Sequence, residues 1–269
     1  MTAEAPEYLY HYTNVETLAL ILKNRTIRFN SLDKVDDPQE QKTADIKNAG
    51  QFCYVSCWTD DATESIPMWN MYSGLASGVR IRLRKNPFKW HELTEQEHQQ
   101  YTWLEPYTKT MIPFPQMVQK EVYSFPEEDG SMLYKVDYSD EEKKLSPNML
   151  YSDEIFDYLD FYVLGKCKST YWAFQNEWRY ILYASSVPIH QDTQQGVEAI
   201  LKERQRVIDG VAKQPFPEYY MDIADDAFAD MEITLSPRIS AGNKLIAETL
   251  MRTYNPSAGI RDSDLLGKL

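Results

Sequence analysis

The heptapeptide GVRIRLR at residues 78–84 alternates without a break: Val79, Ile81 and Leu83 point one way, and Arg80, Arg82 and Arg84 the other. A period of two fits a half-buried strand with a cationic outer face, and it fits no helix. EWRYILYA at 177–184 repeats the pattern, with Trp178, Tyr180 and Leu182 on one face and Glu177, Arg179 and Ile181 on the other. FCYVSCW at 52–58 is rich in aromatic and β-compatible residues, and shorter runs at 8–12, 26–29 and 231–235 read as further strands. Helical spacing is equally clear at Val15, Leu18, Ala19 and Leu22, where Asn14 can cap the helix and Asn24 can end it. A charged helix is predicted over 197–211 and a last one over 243–252. These elements follow one another without a regular βαβ cadence. The chain is therefore expected to be one α+β domain over 1–269 with a largely antiparallel sheet.

The remaining segments are less regular. NSLDKVDDPQE, 30–40, reads as an acidic loop punctuated by Pro38, and Pro67 opens a short helical MWNMYS. Prolines at 87, 106, 113 and 115 mark residues 85–118 as a peripheral insertion. EVYSF and SMLYKVDYS flank the turn PEEDG and predict a hairpin, while Ile155, Leu159, Tyr162 and Val163 predict a helix within 148–166.

Composition narrows the functional classes. The chain of 269 residues carries a formal charge of −13, so it is not expected to hold nucleic acid by charge alone. A hydrophobic fraction of 43% excludes a disordered chain, and no apolar run approaches the ~20 residues of a membrane span. Met1 to Glu7 carries two glutamates and no basic region, so no signal peptide and no membrane partner are expected. The three cysteines are too few for a disulfide framework and fit a reducing, cytoplasmic compartment. Cys53 and Cys57 share a strand face but match no histidine spacing, so no metal site is expected. Phosphate loops, dinucleotide fingerprints and the GxSxG elbow are absent from the sequence.

Three places could carry chemistry. His11 in LYHYT ends a strand directly before a helix N-terminus, where a ligand can meet a side chain and free N–H groups, although a structural histidine also fits. Trp69 and Tyr72 lie three apart in the MWNMYS helix and could stack on a planar heterocycle or simply fill core. Glu177 and Arg179 project from one face of a strand whose other face is aromatic. They read either as a desolvated functional carboxylate with its neighbour or as an ion pair within the sheet.

Taken in order, LYHYT (9–13), RFNS (28–31), DDPQE (36–40), FCYVSC (52–57), MWNMYS (68–73), WAFQNEWR (172–179) and EITLSPRIS (232–240) resemble a bacterial family catalogued as a domain of unknown function. The same order of parts is similar to the ADP-ribosyltransferase superfamily, in particular the branch with a His, a Tyr and a Glu on successive core strands and the DNA-targeting toxins. That resemblance implies a split antiparallel sheet with flanking helices and NAD as co-substrate, without a metal. It implies catalytic roles for Glu177, His11 and Tyr72, and places His11, Tyr12, Thr13, Arg28, Ser56, Trp69, Tyr72 and Arg179 around the cofactor. Glu177 would bond the ribose 2′-hydroxyl, Tyr72 and Trp69 would stack on nicotinamide, and Arg179 or Arg28 would meet the pyrophosphate. The implied acceptor is a protein or a nucleic acid, the latter approached along Arg80, Arg82, Arg84 and Lys85. Relatives of this kind act as toxins or antiphage effectors restrained by an antitoxin or chaperone. Gln175 departs from the pattern, which often has an acid two residues before the glutamate. An NAD glycohydrolase and a non-catalytic binding module are the alternatives.

Overall fold

The computed structural model describes residues 6–100, 109–120, 122–125, 132–152, 157–186 and 194–269. The chain begins with β1 (Tyr8–Asn14), α1 (Val15–Asn24), β2 (Thr26–Ser31), β3 (Cys53–Thr59) and β4 (Gly78–Arg84). Next come β5 (Val122–Phe125), β6 (Leu133–Lys135) and β7 (Glu177–Ser186). The last part contains α2 (Gln194–Ile208), β8 (Glu218–Asp222), β9 (Glu232–Leu235), α3 (Ala241–Tyr254) and β10 (Gly259–Asp262). These strands form one ten-stranded mixed sheet that runs β8-β2-β3-β1-β4-β9-β10, with β7 also on β3. Within it the pairings are antiparallel except β9 with β10.

Alternation sorts the side chains into two cores, one on each face. Leu9, Val79, Ile81, Leu83, Trp178, Tyr180 and Leu182 pack against Leu18, Ile21 and Leu22 of α1 and Ala247 and Met251 of α3. Cys53, Val55, Ile181 and Tyr183 pack on the other face against Met149 and Leu164. Asn14 caps α1 by accepting from the Thr17 N–H at 2.8 Å. Arg25, rather than Asn24, takes the left-handed position that ends the helix, at φ 55°. Arg25 then bonds Asp225 and lies over the Phe228 ring.

Four further expectations are corrected. The 148–166 segment is not a helix: Leu150–Ser152 pairs with Asp157–Leu159, and a short 3₁₀ turn follows at Phe161–Val163. Ile155 lies outside the described residues. β5 and β6 do not form a hairpin, because both pair antiparallel with β7, at its two ends, like two pieces of one interrupted edge strand. The intervening turn at 126–130 also lies outside the described residues. The charged helix begins at Gln194 and ends at Ile208.

The fourth correction concerns the cationic strand face. Arg80 is only 1% exposed, bonds the Ala62 carbonyl through both terminal nitrogens and sits over the Tyr10 ring at 4.3 Å. Arg84 pairs with Asp226 and Asp230, and Arg82 lies over Tyr8 beside Glu232. β9 covers one edge of β4 and the chain around Ala62 covers Arg80, so the arginine face is packed at Arg80 and partly exposed at Arg82 and Arg84. Of the 85–118 segment, Ile112 and Met117 join the main core, and His91–Glu92 pairs with Lys109–Thr110.

Candidate functional site

The sheet is open at one place. β3 pairs with β2 at Tyr54 and Val55 and with β1 only at Thr59, so the two partners diverge beside Ser56, Cys57 and Trp58. His11 bridges the opening: its Nδ1 donates to the Cys57 carbonyl at 2.8 Å, and its ring lies 5.1 Å from that of Trp58. A carbonyl can only accept, so Nδ1 carries the proton. Burial, reinforced by Arg28, outweighs that hydrogen bond and holds the imidazole pKa below its ordinary 6.5. The ring is therefore neutral near pH 7, with Nε2 an acceptor.

A cavity of about 310 Å³ occupies this opening, within the range of small-ligand pockets. His11, Thr13, Arg28, Ser56, Cys57, Tyr72, Gln175, Glu177 and Arg179 line it. Strand register puts His11, opposite Ile81, on the face that carries Trp58, and Glu177 on the face that carries Cys57 and Ile181. They reach one cavity because the sheet is parted there.

The Glu177 side of the cavity is a closed ionic quartet. Arg179 Nε meets Glu177 Oε1 at 2.6 Å, and a terminal nitrogen of Arg179 meets Glu40 Oε2. Lys168 Nζ lies 3.2 Å from Glu177 Oε2 and 3.2 Å from Glu40 Oε1. Each cation touches both carboxylates, and all four side chains are at most 5% exposed. Lys168 Nζ also donates to Gln175 Oε1 at 2.8 Å. Burial pushes the Glu177 carboxyl up, but Arg179, Lys168 and a Cys57 thiol hydrogen bond outweigh it and bring the pKa down to about 2. Burial and the Glu177 charge hold the Cys57 thiol well above its ordinary value. Glycine is required at 165, where φ is +76°, and its carbonyl accepts from Arg179 at 3.0 Å.

Tyr72 adjoins the quartet through Gln175. Ser65 caps a short helical turn at Ile66–Met68 that continues as a π-helical turn over Trp69–Ser73. The wider turn separates Trp69 from Tyr72, leaving Met68 and Tyr72 on the cavity. Trp69 is fully buried, edge-on to Tyr12 and bonded to Glu64 at 3.0 Å, so the expected stacking of Trp69 on a ligand is corrected to a core role. Glu64 in turn accepts from Ser263 and from the Asp264 N–H, an anchor beneath the Tyr72 turn. The Tyr72 hydroxyl accepts from the Gln175 amide, and burial and the nearby Asp36 raise its pKa.

The other expected ligands divide. Arg28 is exposed at the mouth, opposite Tyr220 on β8. Thr13 is buried on the wall. Tyr12 is 5% exposed and its hydroxyl is bonded by the Ser65 N–H and Arg80. The Ser56 hydroxyl accepts from Trp58 Nε1 at 3.0 Å. Arg179 has no exposed surface and serves the two carboxylates, whereas Arg28 and Lys34 are exposed where they line the cavity. Glu40, Lys168 and Asp36 were missed by sequence reasoning. The DDPQE block was the one available signal for Glu40, and it read as a solvated turn. Among the described residues no group of three His, Cys, Asp or Glu side chains gathers as a metal site would require, and no helix is long and apolar enough to cross a membrane.

No curated protein and no solved structure matches the chain. Residues 68–180, which hold Tyr72, Lys168, Gln175, Glu177 and Arg179 but neither His11 nor Glu40, match the model of a family described as "Protein of unknown function (DUF2971)".

Proposed function

We propose that the cavity binds NAD and that the protein is an NAD-dependent ADP-ribosyltransferase. The observation that carries this reading is the meeting of His11, Tyr72 and Glu177 from three separate segments in one cavity. Cleavage breaks the bond between nicotinamide nitrogen and ribose C1′. The electron pair leaves with nicotinamide, C1′ becomes oxocarbenium-like, and the acceptor's nucleophile bonds C1′ and gives up its proton to water. Glu177 is ionised throughout the neutral range, so its part is to hold the ribose hydroxyl and stabilise the developing cation rather than to shuttle a proton. The Tyr72 ring offers a face to nicotinamide, His11 Nε2 accepts from a ribose hydroxyl, and Arg28 meets the phosphates. Of the expected cationic track, Arg80 is buried and Arg82 and Arg84 are paired with carboxylates, while Lys85 is exposed, which gives a nucleic-acid acceptor little support.

One observation favours a second reading. Both Glu177 oxygens already accept from a cation, as they would in a nucleotide-binding module without turnover. Incubation with NAD labelled in the adenine, with and without protein and nucleic-acid acceptors, separates the cases. Label on a macromolecule, lost in Glu177→Gln, supports transfer. Free ADP-ribose alone indicates glycohydrolysis with water as acceptor. Binding without any cleavage indicates the non-catalytic module, and absence of NAD binding overturns the reading.

A further inference from the structure

We propose that Glu40 is a positioning residue that keeps the Glu177 carboxylate available to a cationic ribosyl centre by sharing Arg179 and Lys168 with it. This rests on the ADP-ribosyltransferase reading. Glu40 sits at the end of the DDPQE turn, where Asp37 accepts from the Gln39 N–H at 2.9 Å and the Glu40 N–H donates to the Asp37 carbonyl at 3.2 Å. That turn folds the Glu40 side chain inward to 1% exposure. Among the described residues neither of its oxygens has an aligned hydrogen-bond donor, and Arg179 and Lys168 are the cations that meet its charge. The loop that carries it also lines the cavity through Lys34, Val35 and Asp36.

Two cations and two carboxylates make the quartet neutral. Without the Glu40 charge, Arg179 and Lys168 would act on Glu177 alone, and the wall facing the ribose would carry one net positive charge. In ground-state NAD the positive charge sits on the nicotinamide ring and moves onto the ribose only as the bond to C1′ breaks, so a positive wall facing the ribose would repel the oxocarbenium-like transition state more than the ground state. An interaction expressed only in the transition state appears in kcat.

The test compares wild type, Glu40→Gln, Glu40→Asp and the doubly substituted Glu40→Gln/Lys168→Gln chain, which removes one charge of each sign. NAD cleavage is followed as kcat and KM. Binding of a protonated pyrrolidine mimic of the ribosyl cation is compared with binding of its neutral carbocyclic counterpart. Glu40→Gln is expected to lower kcat on the order of 10-fold or more with KM nearly unchanged, and to abolish the preference for the cationic mimic. Glu40→Asp and the neutral double variant are expected to recover that preference, which a packing role would not produce. Retention of the preference and of kcat in folded Glu40→Gln overturns the proposal. If Glu40→Gln does not fold, failure of the neutral double variant to prefer the cationic mimic overturns it. A wild type that binds neither mimic and leaves NAD intact overturns the ADP-ribosyltransferase reading itself.

Discussion

His11 donates from Nδ1 to the carbonyl of Cys57, a residue on the strand from which β1 has parted. The side chain thus supplies a bond that the strand ladder would otherwise make, and the same bond fixes the tautomer that presents Nε2 as an acceptor. Because burial and Arg28 keep the ring neutral below its ordinary 6.5, NAD cleavage is expected to stay level from pH 8 to 6.5 and to fall only on further acidification. A pH profile of wild type checks this. A decline beginning near pH 7.5 would contradict a neutral His11 in the reaction.

Glu177→Gln is expected to reduce NAD cleavage about 100-fold or more, since it removes the charge facing the developing cation. It also leaves Arg179 and Lys168 sharing a single carboxylate, and breaking a buried pair of this kind costs about 3–5 kcal/mol. Single-turnover rates at saturating NAD, with urea melts of the same preparation, separate the two effects.

Acid stability tests the same carboxylate. Its pKa is lowered from 4.5 to about 2 in the folded chain, so the unfolded chain binds the extra proton between those values and stability falls as pH drops through that window. The contribution is fully present above about pH 5. Urea midpoints measured from pH 5.5 down to 3 should fall more steeply for wild type than for Glu177→Gln, and equal slopes would show that Glu177 is not held by its partners.

Tyr72 can be divided into ring and hydroxyl. Tyr72→Phe removes the acceptor for the Gln175 amide and should cost about 1 kcal/mol of stability while keeping NAD affinity within a few-fold. Tyr72→Ala should weaken NAD binding by about 10-fold or more through loss of the stacking face. Titration calorimetry on the two variants reads the difference, and equal losses would place the function in the hydroxyl.

Arg80→Met tests the corrected strand face. The guanidinium satisfies the Ala62 carbonyl and sits over Tyr10, so its loss should lower stability by roughly 2 kcal/mol or more. A surface arginine would shift the urea midpoint hardly at all.

Much of the sheet was legible because alternation is a local property. GVRIRLR and EWRYILYA each show it, FCYVSCW is marked by its aromatic and β-compatible residues, and Asn14 caps its helix as its position suggests. What alternation cannot say is whether a polar face meets water or another layer, which is why Arg80 read as solvated. The pattern Ile155, Leu159, Tyr162 and Val163 failed for a related reason: a few apolar residues at helical spacing also suit a short strand pair leading into a 3₁₀ turn. Within the site, Tyr72 and Glu177 announced themselves through aromatic neighbours. Glu40 did not, because a charged residue in a turn carries no local mark of the partners it meets more than a hundred positions away, and Lys168, on a two-residue strand, belongs to no periodic pattern that would pair it with Glu177. Trp69 misled through an assumed α-helical turn where the chain makes a wider one.

The anchor between Glu64 and residues 263–264 bears on how the molecule is made. Glu64 holds Trp69, on the turn that carries Tyr72 to the cavity. On a ribosome, that turn emerges long before its fastening does, so the nascent chain passes through a stage in which Glu177 has been synthesised while the Tyr72 wall is still unfastened. Synthesis order alone therefore delays that fastening until residue 264 has left the exit tunnel.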